Sequence, residues 1–254
     1  MAKILGIIPA RYASTRFPGK PLVSIAGKSM IQRVWERCIT ADCLADLVVA
    51  TDDVRIEAEV KKFGGKVIMT SAEHPTGTDR CREALEQAES IFGETFDAVI
   101  NIQGDEPFVH PEHIRLVASC FASAETQLAT LVKKITRKED LFNPNIIKVV
   151  CTLGQEALYF SRSPIPYLRG KENDQWVNTG KYRKHIGIYG YRSDVLKRIT
   201  EMPPSYLETS ESLEQLRWLE NGLRIQVRET DLESRSVDSP EDLESILNEI
   251  NQEP

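Results

Sequence analysis

The chain lacks a C-x-x-C pair, an apolar run approaching about 18 residues and any excess of basic charge, and each absence argues against a class of function. Its five cysteines, Cys38, Cys43, Cys81, Cys120 and Cys151, are odd in number and lack metal-ligand spacing. A disulfide framework or zinc ribbon is therefore not indicated, and reduced core thiols are expected. Without the apolar run no membrane span is expected. Residues Met1 to Pro9 hold one lysine and an apolar stretch broken by Gly6, too little for the apolar region of a signal peptide, so a cytoplasmic address is expected. Lys and Arg number 32 against 38 Asp and Glu, leaving −6 at pH 7, which argues against nucleic acid as the main partner. A bound polyanion would need a local positive site.

What remains is an ordinary globular composition. The 254 residues, 41% hydrophobic and 28% charged, suffice for one large α/β domain with a full core. Short β-rich apolar runs alternate with helical patterns, as in βαβ units around a mostly parallel sheet. Strands are expected at Ile4–Ile8, Leu47–Ala50, Lys66–Met69, Ala98–Ile102, Leu128–Val132, Lys148–Thr152, Ala157–Ser161, His185–Tyr191 and Ile225–Val227. Helical spacing relates Ile31, Val34, Trp35 and Cys38, and likewise Ile114, Val117, Ala118 and Phe121. A last helix carries Leu243, Ile246, Leu247 and Ile250, with Ser239 as N-cap, Pro240 at its first position and Asp242 at its third. Between about 128 and 191 the alternation breaks into four strand-like runs with little helix between them. A strand-rich insert beside the main sheet, a partly antiparallel lobe or dimer surface, is expected within a single domain over 1–254.

Familiar phosphate motifs are also missing. No G-x-G-x-x-G follows the first strand, and Gly27-Lys28-Ser29 cannot end a P-loop because Leu22 stands where its first glycine belongs. Gly27-Lys28 reads as a turn before a helix. After the first strand comes Pro9-Ala10-Arg11-Tyr12-Ala13-Ser14-Thr15-Arg16-Phe17-Pro18-Gly19-Lys20-Pro21-Leu22, with three cations and no acid, at the strand end where open α/β sheets bind ligands. Arg11, Arg16 and Lys20 suit successive phosphates. After the Ala98–Ile102 strand, Gln103-Gly104-Asp105-Glu106-Pro107 brings carboxylates to the same edge; Asp105 suits a hard cation there, though a plain Gly-Asp turn reads equally well. Asp238 either completes a two-carboxylate Mg²⁺ site or assists the following helix N-terminus. His74-Pro75-Thr76-Gly77-Thr78-Asp79 turns into a helix whose first N–H groups and Thr78 hydroxyl can meet a polar ligand, or it is a simple cap. His110 and His113 flank Pro111, which spoils helical ligand spacing. His185 and Tyr189 share one strand face, where a core histidine is the plain alternative.

Taken together, Ile-Pro-Ala-Arg-Tyr-Ala-Ser-Thr-Arg-Phe-Pro-Gly-Lys-Pro-Leu, Ala-Thr-Asp-Asp, His-Pro-Thr-Gly-Thr, Asn-Ile-Gln-Gly-Asp-Glu-Pro, Phe-Asn-Pro-Asn, Tyr-Phe-Ser-Arg-Ser-Pro-Ile-Pro, His-Ile-Gly-Ile-Tyr-Gly-Tyr-Arg, Leu-Glu-Gln-Leu-Arg and Val-Asp-Ser-Pro-Glu-Asp-Leu resemble, in order, the 3-deoxy-manno-octulosonate (Kdo) cytidylyltransferase family. The resemblance implies a nucleotidyltransferase α/β fold, a homodimer, Mg²⁺, CTP as donor, a 3-deoxy-octulosonate sugar acid as acceptor and a role in lipopolysaccharide assembly. It implies Arg11, Arg16 and Lys20 on the triphosphate, and Asp105 and Asp238 on the metal. It further implies Gln103, Arg162, His185, Tyr189, Glu211 and Gln215 on the sugar, with Ala10 and Thr78 at the cytidine. Two departures cluster. Ser234-Arg235-Ser236 stands where ordinary members have Gly-Thr-Gly, and Thr209-Ser210-Glu211-Ser212 replaces a bulkier His-Ile-Glu-Met. A more polar sugar pocket would suit the branch acting on 8-amino-3,8-dideoxy-manno-octulosonate, which is the expected acceptor, with ordinary Kdo the alternative.

Overall fold

The computed structural model describes residues 2–13 and 17–250. Its strands are β1 (Ile4–Ala10), β2 (Ser24–Ile25), β3 (Lys28–Ser29), β4 (Asp46–Thr51), β5 (Val67–Met69), β6 (Ala98–Asn101), β7 (Leu128–Lys134), β8 (Lys148–Cys151), β9 (Ala157–Ser161), β10 (Arg183–Arg192) and β11 (Ile225–Glu229). The helices are α1 (Met30–Ile39), α2 (Val54–Lys62), α3 (Gly77–Phe92), α4 (Pro111–Cys120), α5 (Lys138–Phe142), α6 (Trp176–Thr179), α7 (Ser193–Ile199), α8 (Tyr206–Glu211), α9 (Gln215–Glu220) and α10 (Pro240–Ile250). No helix among the described residues is long and apolar enough to cross a membrane.

The main sheet runs β11-β7-β10-β6-β1-β4-β5, with β10 antiparallel to both neighbours and every other adjacent pair parallel. Its central strands β1, β4 and β6 are buried on both faces, as helices on either side require. One face packs Leu5, Ile7, Val99 and Leu128 against Cys81, Ala84 and Leu85 of α3 and Leu196 of α7. The other packs Ile8, Val49 and Ile100 against Ile31, Val34 and Cys38 of α1 and Ile114 and Val117 of α4, the stripes that the helical spacing predicts.

The segment from 128 to 191 does not stand apart as a lobe. β7 and β10 are central strands of the one sheet, and only β8 and β9 branch from it. The cause lies in β10, which is ten residues long. Its start pairs β8 at Arg183 and Lys184, its end pairs β6 from Tyr189 to Arg192, and a bulge between Ile186 and Tyr189 interrupts its pairing with β7. The bulge bends the strand from one partner to the other.

The Gly27-Lys28 turn joins β2 to β3 as a two-residue hairpin, with Ala26 and Gly27 both at positive φ. Before α10, Ser239 and Asp242 cap one another: Ser239 N–H donates to Asp242 Oδ2 at 2.9 Å and Asp242 N–H to Ser239 Oγ at 3.3 Å. Ile246 of α10 packs on Ile25 and Met30, which places this helix beside the loop that follows β1.

Candidate active site

The strand order reverses direction at β1: the chain passes from β1 outward to β4 and β5, then returns to β6 on the other side. Loops leaving β1 and β6 therefore diverge and leave a crevice at their carboxyl ends. A cleft of about 260 Å³ lies there, walled by Ala10, Arg11, Lys20, Thr76, Gly77, Arg80, Gln103, Asp105 and Asp238 among others. Gly104 allows the loop after β6 to close on the end of β1, since a Cβ there would lie 2.6 Å from the Pro9 carbonyl oxygen. Gly19, at φ 70°, closes the basic loop by donating its N–H to Tyr12 O at 3.0 Å.

Lys20 sits between the two aspartates. Its Nζ donates to Asp105 Oδ2 at 2.8 Å and to Asp238 Oδ1 at 3.4 Å. The carboxylates reach this point from different loops, joined because Val237 N–H donates to Asp105 O at 2.9 Å. Asp238 also donates its N–H to Asp242 Oδ2 at 2.9 Å, so it marks the start of α10 and faces the cleft at once. Next to them, burial and the Asp105 charge push the Glu106 carboxyl up to about 7, against a hydrogen bond from Ser234. Burial is the larger cause, and the Asp105 and Asp238 charges add to it.

The opposite wall is the first turn of α3. Thr76 caps it by accepting from Asp79 N–H at 3.1 Å, and Gly77 presents backbone to the cleft. Thr78 is turned away: it is buried, and its hydroxyl donates to Glu214 Oε2 at 2.8 Å. Arg80, which sequence reasoning missed, lines the cleft instead. Its guanidinium is buried and donates to Thr70 Oγ1 at 2.5 Å and Asp52 Oδ2 at 2.9 Å. The available signal was a cation four residues before Ala84, on the apolar stripe of α3 that also holds Ala88.

A polar cluster adjoins the cleft through Gln103, whose Nε2 donates to the Gly187 carbonyl in the β10 bulge at 2.9 Å. His185 Nε2 lies 2.9 Å from Thr130 Oγ1, which itself donates to Ile188 O at 2.7 Å. The hydroxyl proton being used, Nε2 carries the imidazole proton and Nδ1 the lone pair. Burial drives the His185 pKa down to about 3, so the ring is neutral. Tyr189 packs against His185 and Trp218, and its buried hydroxyl has no hydrogen-bond partner among the described residues. Burial raises its pKa well above the ordinary value, so the hydroxyl stays protonated as a donor. Glu211 accepts from Ser161 Oγ at 2.6 Å and from Arg162 N–H at 2.9 Å, and Gln215 is buried at the start of α9.

Residues 5–225 match the family model described as cytidylyltransferase. The 3-deoxy-manno-octulosonate cytidylyltransferase of Parabacteroides distasonis is 56% identical over 251 residues, 97% of this chain and 98% of that one. The enzyme of the same name from Bacteroides thetaiotaomicron is 55% identical over 95% of each. A solved CMP:2-keto-3-deoxy-manno-octonic acid synthetase complexed with CTP superposes with a TM-score of 0.90 at 42% identity, covering 100% of both chains. The chain belongs to the 3-deoxy-manno-octulosonate cytidylyltransferase family.

As a nucleotidyltransferase of this family, the protein gathers Ala10, Arg11, Lys20, Gln103, Asp105 and Asp238 around one cleft. Arg16 lies outside the described residues. Thr78 stands behind the cleft wall; Arg162 pairs with Glu211, His185 packs on Tyr189 and Gln215 is buried at the start of α9, and none of these five lines the cleft itself. The Mg²⁺ that the family implies fits the donor set. Two carboxylates converge on one point already occupied by a cation, the Lys20 ammonium, and Mg²⁺ takes few protein ligands while keeping sites for water and phosphate.

Proposed function

We propose that the protein transfers CMP from CTP to the anomeric hydroxyl of ordinary Kdo, releasing pyrophosphate, as a step towards lipopolysaccharide. The carrying observation is the cleft in which Lys20 bridges Asp105 and Asp238 beside Arg11, in a chain of this family. Mg²⁺ held by Asp105 and Asp238 would neutralise charge on phosphate oxygens and lower the pKa of the attacking hydroxyl. Arg11 and Lys20 meet the triphosphate as charge-assisted donors, and the α3 first turn offers backbone N–H groups to the nucleotide. Neutral His185 and protonated Tyr189 present an acceptor and a donor to sugar hydroxyls. No protein nucleophile is needed, because the sugar hydroxyl attacks the α-phosphorus directly. A homodimer is part of this proposal by family membership.

The reading turns from the 8-amino sugar to Kdo on the placement of the departures. An 8-ammonium group needs acceptors aimed at it. Ser210 is exposed, Ser212 ends α8 in the left-handed region at φ 51°, and both Glu211 carboxylate oxygens are engaged by Ser161 and Arg162. Ser234 receives the His110 N–H at 3.3 Å and Ser236 donates to Asp238 at 3.3 Å, so that departure serves the aspartate side. The similar enzymes of Parabacteroides distasonis and Bacteroides thetaiotaomicron, named for 3-deoxy-manno-octulosonate, support Kdo as well. The test is pyrophosphate release with CTP, Mg²⁺ and the two acids competing for limiting CTP. Kdo is expected to be used at least as well as the amino sugar. A preference for the amino sugar of about 10-fold or more overturns the acceptor, and no release with either acid overturns the whole reading.

A further inference from the structure

Lys148 has no solvent-exposed surface. A lysine in that position must satisfy three donors away from water. Its ammonium does so on backbone alone, donating to Asn143 O at 2.9 Å, to Ile146 O at 2.6 Å and to Arg162 O. Burial lowers its pKa, while the nearby Glu211 carboxylate favours the charged form. An apolar side chain at this strand position, opposite Ser161, would avoid the desolvation cost altogether. What the ammonium provides is a junction between the 143–146 turn and the end of β9.

That junction extends further. Arg162 donates its N–H to Glu211 Oε2 at 2.9 Å, Nε to Glu211 O at 2.6 Å, Nη1 to Pro144 O at 3.1 Å and Nη2 to Ser212 O at 3.3 Å. The turn, the end of β9 and the end of α8 are thus one clasp. Beside it, Ile147 O accepts the His185 N–H at 2.9 Å, and two residues on, Gly187 O accepts from Gln103, which lines the cleft. Short hydrogen-bonded links therefore lead from Lys148 to the cleft wall without touching the basic loop or the aspartates. The clasp holds two cations, Lys148 and Arg162, against one acid, Glu211, leaving positive charge behind a face that would receive an anionic sugar acid.

We propose that Lys148 is a positioning residue for the acceptor: its buried ammonium sets the placement of His185, Arg162 and Glu211, and so governs binding of the sugar acid and not of CTP. The inference rests on the acceptor reading above. The experiment uses whichever acid the wild-type enzyme turns over, so failure of that reading appears first as no turnover by the wild type. Lys148→Met, of similar length and without donors, is expected to raise KM for the acid about 10- to 100-fold, while the Kd for CTP measured without acid stays within about twofold. An acid KM within twofold of wild type, or equal losses for acid and CTP, overturns the assignment. Hydrogen exchange on the wild type provides a reading even where the variant does not fold. With a non-hydrolysable CTP analogue bound, adding the acid is expected to slow exchange at Asn145, Ile146, Ile147, Arg162 and His185. Protection of these amides by the analogue alone, or by neither ligand, overturns it.

Discussion

Lys20 illustrates how one side chain can serve two states. Its ammonium lies between Asp105 and Asp238, at 2.8 and 3.4 Å, and offsets part of their charge. On the proposed function it would also meet the triphosphate, and the two carboxylates would then hold the metal. Lys20→Met should therefore lower kcat/KM for CTP by about 100-fold or more, and should also lower the Tm of the ligand-free protein. Mg²⁺ should raise that Tm more in the variant than in the wild type, because like charges now await a cation; thermal melts with and without Mg²⁺ read this directly. A variant whose Tm ignores Mg²⁺ would show that the aspartates do not hold it. Asp105→Asn and Asp238→Asn should each abolish Mg²⁺-dependent pyrophosphate release while leaving far-UV circular dichroism unchanged. Of these residues, the basic loop stands out in the sequence, since cations at a strand end need a reason to be there, whereas Asp105 reads equally well as part of a plain Gly-Asp turn until Lys20 is found beside it. Arg80 does not stand out, because a single cation on a helical stripe becomes a cleft residue only once Thr70 and Asp52 turn its head inward.

Elements place these residues by close approach. The loop after β6 meets the end of β1 at Gly104, where a Cβ would fall 2.6 Å from Pro9 O, a backbone atom that cannot step aside alone. Gly104→Ala should cost about 1–3 kcal/mol of stability and separate Asp105 from Lys20. Chemical denaturation measures the first, and the Mg²⁺ dependence of turnover the second. Wild-type behaviour in both would mean that the loops have slack. Continuous apolar runs make β1, β4 and β6 legible in sequence, and helical stripes make α1 and α4 so, because each buries a regular apolar pattern. β2 and β3 escape such reading: two-residue strands have no period, and only the Gly27 turn betrays them. The 128–191 segment is legible as strands but not as part of the sheet, since nothing local in β10 states that its start pairs β8 while its end pairs β6.

For the whole molecule, that branching decides which side chains are drawn away from water, and with it the response to acid. His185 lies where β10 leaves β8 for β6, against Phe160 of β9 and Thr130 of β7, and burial holds its folded pKa near 3, below an ordinary histidine value of about 6.5. A histidine with a depressed folded pKa favours the fold while neutral. As pH falls below about 6.5, the unfolded chain takes up the proton and the folded one does not, so the unfolded state binds more protons and stability declines down to about pH 3. Above about 6.5 neither state is protonated there and the effect vanishes. Its full size is of order a few kcal/mol at about 1.4 kcal/mol per pKa unit. His185→Gln, which keeps a donor for Thr130 and cannot titrate, should be less stable than wild type at pH 8 yet lose less between pH 6.5 and 4. Urea unfolding at a series of pH values gives both curves. Parallel curves would place the His185 proton equilibrium near its unfolded value and overturn the account of a neutral imidazole beside the cleft.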